Sequence, residues 1–316
     1  MPYRFRSHDR STAHAVRRIA REQLARAIRE IDDPSLPVDD KVHQVRKRCK
    51  KVRALLRLVR GSLADSSPEN RFLRDTARLL APLRDADVRA ATYDKLLDHH
   101  ASQVNRQAFA PIRAALTRRS DKLAERIDPG DRLDQARARL ADIRKRAKSW
   151  KLSSKGFAAL EKGLARTYRR AREDRAAPGT PPEQRHEWRK RIKDHWYHTR
   201  LLDRIWPQQM HARREMAHDL AELLGDEHDL VVLRDTIVRT PDLADPDTVQ
   251  AFLALLDRRS LELAARAEPL ADRLLAEAPE QLVDRWRLYW RAWRRGERGI
   301  IQATEAADPT PRTNHD

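Results

Sequence analysis

Cysteine, glycine and aromatic residues are scarce in this chain, and each scarcity removes a class of structure. Cys49 is the only cysteine among 316 residues, so an intrachain disulfide and a cysteine-based metal site are both excluded. That fits a reducing, cytoplasmic interior. Eight glycines and an almost complete lack of β-branched runs argue against a sheet protein, which needs turns and stiff strand formers. No run of about 18 apolar residues occurs, so no membrane span is expected. The start, MPYRFRSHDRSTAHAVRR, lacks the apolar core of a secretory signal.

What fills the chain instead is arginine, alanine and leucine. Charged residues make up 36% and hydrophobic residues 40%, enough for a core beneath an unusually charged surface. These are strong helix formers, and the composition points to an all-α protein. Lys and Arg number 66 against 48 Asp and Glu, a formal net charge of +18. A field of that sign attracts nucleic acid, anionic lipid, polyphosphate or an acidic protein, and charge alone does not choose among them. Helical periodicity is interrupted at Asp33-Pro34, Ser67-Pro68, Pro129-Gly130, Pro178 to Pro182 and Pro241 to Pro246. The pattern predicts helices over 11–32, 38–60, 68–81, 83–101, 104–127, 131–149, 154–175, 182–206, 208–224, 226–240, 246–274 and 278–295, with a disordered tail from 296.

The chain says one thing twice. VHQVRKRCKKVRALLRL from Val42 aligns with RHEWRKRIKDHWYHTRLL from Arg185 at an offset of 143, so that His43, Arg46, Lys47, Lys50 and Arg57 fall on His186, Arg189, Lys190, Lys193 and Arg200. One residue more of offset lays RDTARLLAPLRDADV from Arg74 over HDLAELLGDEHDLVV from His218. Two pseudo-symmetric helical bundles, arising by internal duplication, are the expected architecture.

At about 100° per residue, Arg46, Lys47, Lys50, Lys51, Arg53 and Arg57 lie within roughly 80° of His43, with no acid among them. Val45, Cys49, Val52, Leu55, Leu56 and Val59 gather on the other side. The second copy puts His186, Arg189, Lys190, Lys193, Tyr197 and Arg200 opposite Trp188, Ile192, His195 and Leu202. Like charges one turn apart cost a few tenths of a kcal/mol per pair, a self-repulsion that a bound anion would relieve. A solvated face is the ordinary explanation of one basic stripe. Two stripes at matching positions, each led by a histidine, ask for more.

Catalytic signatures are missing: no P-loop, no GxSxG, no HExxH, and no activated cysteine. Asp85, Asp87 and Asp229 follow expected helix breaks at Pro82 and Gly225, where they read as caps or arginine partners. His195 and His198, like His218 and His228, have no evident third metal ligand, and His99, His100, His211 and His315 read as histidines without a task. No enzyme, cofactor or metal is expected.

The paired H-x-x-R-x-x-x-K helices, with REQLARAIREIDDP before the first and LLAPLRDADV after it, resemble the CHAD family, the conserved histidine α-helical domains. The resemblance spans about residues 11–295. It implies one domain of two repeats, 11–150 and 151–295, with 1–10 as an N-terminal extension and 296–316 as tail. A basic channel between the repeats would bind inorganic polyphosphate. It places His43, Arg46, Lys50, Lys51, Arg53, His186, Arg189 and Lys193 on the channel wall, with Arg74, Arg78, Arg84, His218 and His228 contributing from the next helix of each repeat. Asp194, Trp196 and Glu222 stand where the first repeat has Lys51, Arg53 and Arg78, which weakens the second wall. Nucleic-acid binding is the rival, disfavoured because 38–60 contains no aromatic on which a base could stack. A third reading is a polyphosphate-granule interaction protein using WRLYWRAWRR, although Trp286, Trp290 and Trp293 have the spacing of a packed helix face.

Overall fold

In the computed structural model, residues 3–64, 66–83, 85–124, 128–176, 180–240 and 243–307 are described. Among them regular structure is helical throughout. Helix α1 (Thr12–Asp32) starts where the Ser11 hydroxyl accepts from the His14 amide at 3.1 Å, and it stops at Asp33, which Pro34 holds extended. Its buried stripe of Ala15, Val16, Ile19, Ala20, Leu24, Ala27 and Ile31 repeats at three and four residues. Helix α2 (Val38–Leu58) carries Asp39 and Asp40 in its first turn, where they suit the positive end of the helix dipole. Then come α3 (Ser66–Leu79), α4 (Asp85–His99), a 3-10 turn at Arg106–Phe109, α5 (Ala110–Ala124) and α6 (Pro129–Arg146). The remainder is α7 (Ala158–Glu173), α8 (Pro182–Leu201), α9 (Pro207–Val238), α10 (Pro246–Leu274) and α11 (Pro279–Ala307). Proline opens α6, α8, α9 and α10, where its missing N–H costs nothing.

Helices α1, α2, α3 and α6 pack together, while α7 packs on α8 and α11, α8 on α9, and α9 on α10. The two groups meet where α2 lies against α7 and α8. At that crossing Gly163 is required: a Cβ there would sit 2.0 Å from the Leu58 carbonyl oxygen and 2.4 Å from that of Arg57. One large apolar core runs through both groups. A second, smaller core forms where α4 and α5 lean on the C-terminal half of α9 and the first half of α10, around Tyr93, Phe109 and Phe252. Trp286 and Trp290 of α11 are buried in the large core.

Three local readings need correction. The break expected at Gly225 is absent, since 208–224 and 226–240 form the single helix α9. Gly225 is buried within it, and its missing side chain leaves space for the Arg189 guanidinium of α8, whose Nη2 lies 3.1 Å from where a Cβ would be. Asp229 is consequently mid-helix and caps nothing. At the C-terminus α11 continues as helix through Ala307, past the point where the tail was expected to begin, and 308–316 fall outside the described residues. Residues 3–9 also do more than precede the fold. Tyr3 and Phe5 are buried, the Tyr3 hydroxyl donates to the Lys51 carbonyl at 2.6 Å, and the Phe5 amide donates to that of Leu201 at 2.9 Å. This strap stitches α2 to α8.

Candidate functional site

Helix α2 presents the side chains in the arrangement that its periodicity dictates. Val45, Cys49, Val52, Leu55, Leu56 and Val59 are fully buried. Lys47 and Lys50 are exposed, and His43, Arg46, Arg53 and Arg57 are half-buried. Arg46 donates to the Ala77 carbonyl at 2.9 Å and Arg53 to the Asn70 carboxamide at 3.2 Å, so both reach across to α3. On α3, Arg74 is held by Asp75 at 2.8 Å and Arg78 stands largely in solvent, 3.8 Å from the same carboxylate. Arg84, Asp85, Asp87 and His315 lie outside the residues whose side chains are described.

Lys51 is the exception on this face, only 6% exposed. Its ammonium lies 5.6 Å from the centre of the Tyr3 ring. Burial, then the like charges of Arg48, Arg200, Lys47 and Arg26, pull its pKa down to about 7. The charged neighbours that move it most are all cations. Burial and nearby Arg57 likewise lower Arg53 to about 10.

On α8 the counterpart residues sit differently. Lys190 pairs with Glu187 at 2.5 Å, and Lys193 lies 3.5 Å from Glu222 of α9. His186 packs against His228 of α9 with ring centres 4.0 Å apart. Burial is the first cause that lowers His186 to about 4 and His228 to about 3. Lys190 and Arg189 add to it for both, and His186 adds to it for His228. Trp196 carries the Arg200 guanidinium 4.9 Å from its ring centre and His218 stacked at 5.0 Å. Tyr197, grouped with the cationic face by sequence, is buried against Tyr3.

One residue that looked like a departure, Asp194, has a structural task. Asp194 accepts from Arg57 at 2.6 Å across the α2–α8 contact, so it anchors the seam between these helices rather than simply thinning a cationic wall. Beside it the His198 ring contacts the Ala54 carbonyl at 3.0 Å, another link from α8 to α2. His195 is fully buried and receives a hydrogen bond from Arg213 at 3.0 Å. His99 pairs with Glu262 at 2.8 Å, and His100 is buried. Among the described residues no three His, Cys, Asp or Glu side chains form a group able to hold a metal. No described helix is long and apolar enough to cross a membrane.

Sequence reasoning passed over one cationic group. Arg60, in the turn just after α2, has its pKa lowered by burial and then by Arg166 of α7, Arg57 and Arg170 of α7. The Gly163 crossing brings these helices together. Arg60 follows Arg57 by three residues, a helical spacing that was available to find it; Arg166 and Arg170 had no such signal.

The model of the CHAD domain matches residues 18–238. No curated protein matches the chain. Among solved structures it is similar to PptA from Streptomyces chartreusis, with a TM-score of 0.57 and 15% identity over 85% of this chain and 99% of that one. At that identity the likeness is one of fold.

Proposed function

The chain belongs to the CHAD domain family, and from that premise we propose that it binds inorganic polyphosphate, without catalysis, along a basic channel between two duplicated halves. The observation that carries the reading is the cationic crowding at the α2–α8 seam. Lys51 is buried there with Arg48, Arg200, Lys47 and Arg26 as its strongest charged neighbours, while Asp194 is already taken by Arg57 and Glu30 by Arg48. A buried excess of one sign is costly unless a counter-charge arrives, and a linear polyanion supplies it. The reading assigns the contacts to His43, Arg46, Lys47, Lys50, Lys51, Arg53 and Arg57, to Arg74, Arg78 and Arg84, and to His186, Arg189, Lys190, Lys193, Arg200, His218 and His228. The corresponding contacts, α1 with α2 and α7 with α8, support the duplication.

Polyphosphate offers charge and oxygen acceptors and nothing else, which suits forked arginines and point-charge lysines. Trp196, the aromatic that a nucleic-acid reading would use, is already occupied by Arg200 and His218, and Trp188 is buried. Long polyphosphate should therefore displace a labelled oligonucleotide at equal phosphate concentration. The reverse order favours the rival. With polyphosphate as ligand, the proposed location is the cytoplasm, at polyphosphate granules.

The direct test compares size-fractionated polyphosphate binding to wild type and to His43→Ala/Arg46→Ala/Lys50→Ala. Charge-assisted contacts contribute about 1.5–3 kcal/mol each, so the triple variant should lose at least about 100-fold in affinity. Unchanged affinity removes the site. Counterion release also predicts a steep fall of affinity with salt.

A further inference from the structure

A large cavity among the described residues lies away from the α2–α8 seam. It is a groove of about 650 Å3 between the start of α1, the loop before α7 and the last described side chains of α11. Sites for small organic molecules typically span about 300–1,000 Å3. Its floor is apolar, made by Phe5, Ala13, Leu152 and Trp290. Phe5 and Trp290, both buried, meet edge to face there with ring centres 5.6 Å apart.

The rim is cationic. Arg6, Arg10, Lys155, Arg291, Arg294 and Arg295 line it. Arg6 is engaged by Glu22 at 3.6 Å, and Arg294 donates to the Ser7 carbonyl. The other four have no carboxylate partner among the described residues. The one acid in the lining, Asp9, is buried and taken by Arg18 at 2.8 Å and by the Arg6 amide at 2.8 Å. Helix α1 also begins here. Ser11 caps the His14 amide, while the Thr12 and Ala13 amides have no acceptor among the described residues. The groove thus offers unpaired cations and the positive end of a 21-residue helix above an apolar floor.

We propose that this groove binds a small organic anion, an apolar body carrying a carboxylate, sulfonate or phosphate group. Polyphosphate is a poor match because it has nothing to set on Phe5, Leu152 and Trp290. The site is separate from the polyphosphate reading and does not depend on it: none of its lining residues belongs to the face assigned to polyphosphate. The anionic end would lie at Arg10, Lys155 and the α1 amides, and the apolar end over Trp290.

The test uses the full chain and 8-anilinonaphthalene-1-sulfonate, an aromatic sulfonate whose fluorescence rises on apolar contact. Saturable one-to-one binding is expected. Affinity should fall by about tenfold or more in Arg10→Glu/Lys155→Glu, since two charge-assisted contacts are lost. Ala13→Trp, which fills the groove without touching its charge, should abolish binding. Circular dichroism and polyphosphate affinity, measured on the same variants, should match wild type in Ala13→Trp. Competition with laurate and with adenosine monophosphate separates an acyl from a nucleotide ligand, and displacement by either supports the site. Displacement by inorganic pyrophosphate as effectively as by laurate overturns the proposal and leaves a plain cationic patch. So does probe binding that both variants leave intact.

Discussion

If a polyanion enters the α2–α8 seam, Lys51 must take up a proton. Its pKa in the free protein is about 7, against 10.5 for an ordinary lysine, because it is buried and its charged neighbours are Arg48, Arg200, Lys47 and Arg26. At pH 8 a group of pKa about 7 is roughly one-tenth protonated, and a bound polyanion that restores the ordinary value leaves it fully protonated, so binding takes up about 0.9 proton. The sign follows: affinity is greatest near and below pH 7 and falls by close to tenfold per pH unit between about pH 8 and pH 10. Calorimetry in buffers of different ionisation enthalpy at pH 8 reads the proton directly, because the observed heat varies linearly with the buffer term. Long polyphosphate keeps titrating end groups few. Lys51→Arg is the control, retaining the positive charge without a titration in this range, and it should flatten both the buffer dependence and the pH dependence. A wild-type binding heat that is the same in every buffer refutes the reasoning, since the ligand would then not approach Lys51.

Gly163→Ala should destabilise the fold by about 1–3 kcal/mol in urea unfolding, because its Cβ would meet the Leu58 carbonyl at 2.0 Å. Helix propensity alone predicts a gain of about 1 kcal/mol, so the sign of the change decides whether the α2–α7 crossing is that tight. Gly225→Ala crowds the Arg189 guanidinium and should weaken polyphosphate binding severalfold while leaving thermal stability equal or higher, which calorimetry and a melting curve report together. His198 is fully buried with its pKa lowered to about 4 from 6.5. A depressed histidine favours the unfolded state once pH drops below the unfolded value. Its contribution to stability is therefore intact above about pH 6.5, and about 2 kcal/mol is lost between pH 7 and pH 5. Chemical denaturation across that range should show the loss in wild type, and less of it in His198→Gln. Polyphosphate should also bind more tightly at pH 6 than at pH 8 in wild type, an effect reduced in His186→Gln if that imidazole meets the anion.

Helix by helix, the architecture was legible because its determinants are local. Alanine, leucine and arginine favour the helix wherever they fall, proline terminates or opens it, and a period near 3.6 marks the buried side. Hence the boundaries of α1, α2 and α10, the start of α8 and the apolar face of α2 could be read from adjacent residues. The same periodicity placed Lys51 and Arg53 at the two margins of the cationic stripe, where a helical angle cannot say which side of the solvent boundary a residue falls on.

That choice belonged to segments far away in the chain. Tyr3 covers Lys51, Asp194 claims Arg57 from 137 residues away, and α4 and α5 find their apolar partners on α9 and α10. Gly225 shows the limit most clearly. By local propensity it ends a helix, yet the α8–α9 packing keeps α9 continuous and uses the missing side chain to admit Arg189. Sequence alone determined which segments are helical and which of their faces are charged. Tertiary packing decided which charges are buried, paired or left facing a shared seam, because desolvation and pairing depend on neighbours that periodicity does not encode.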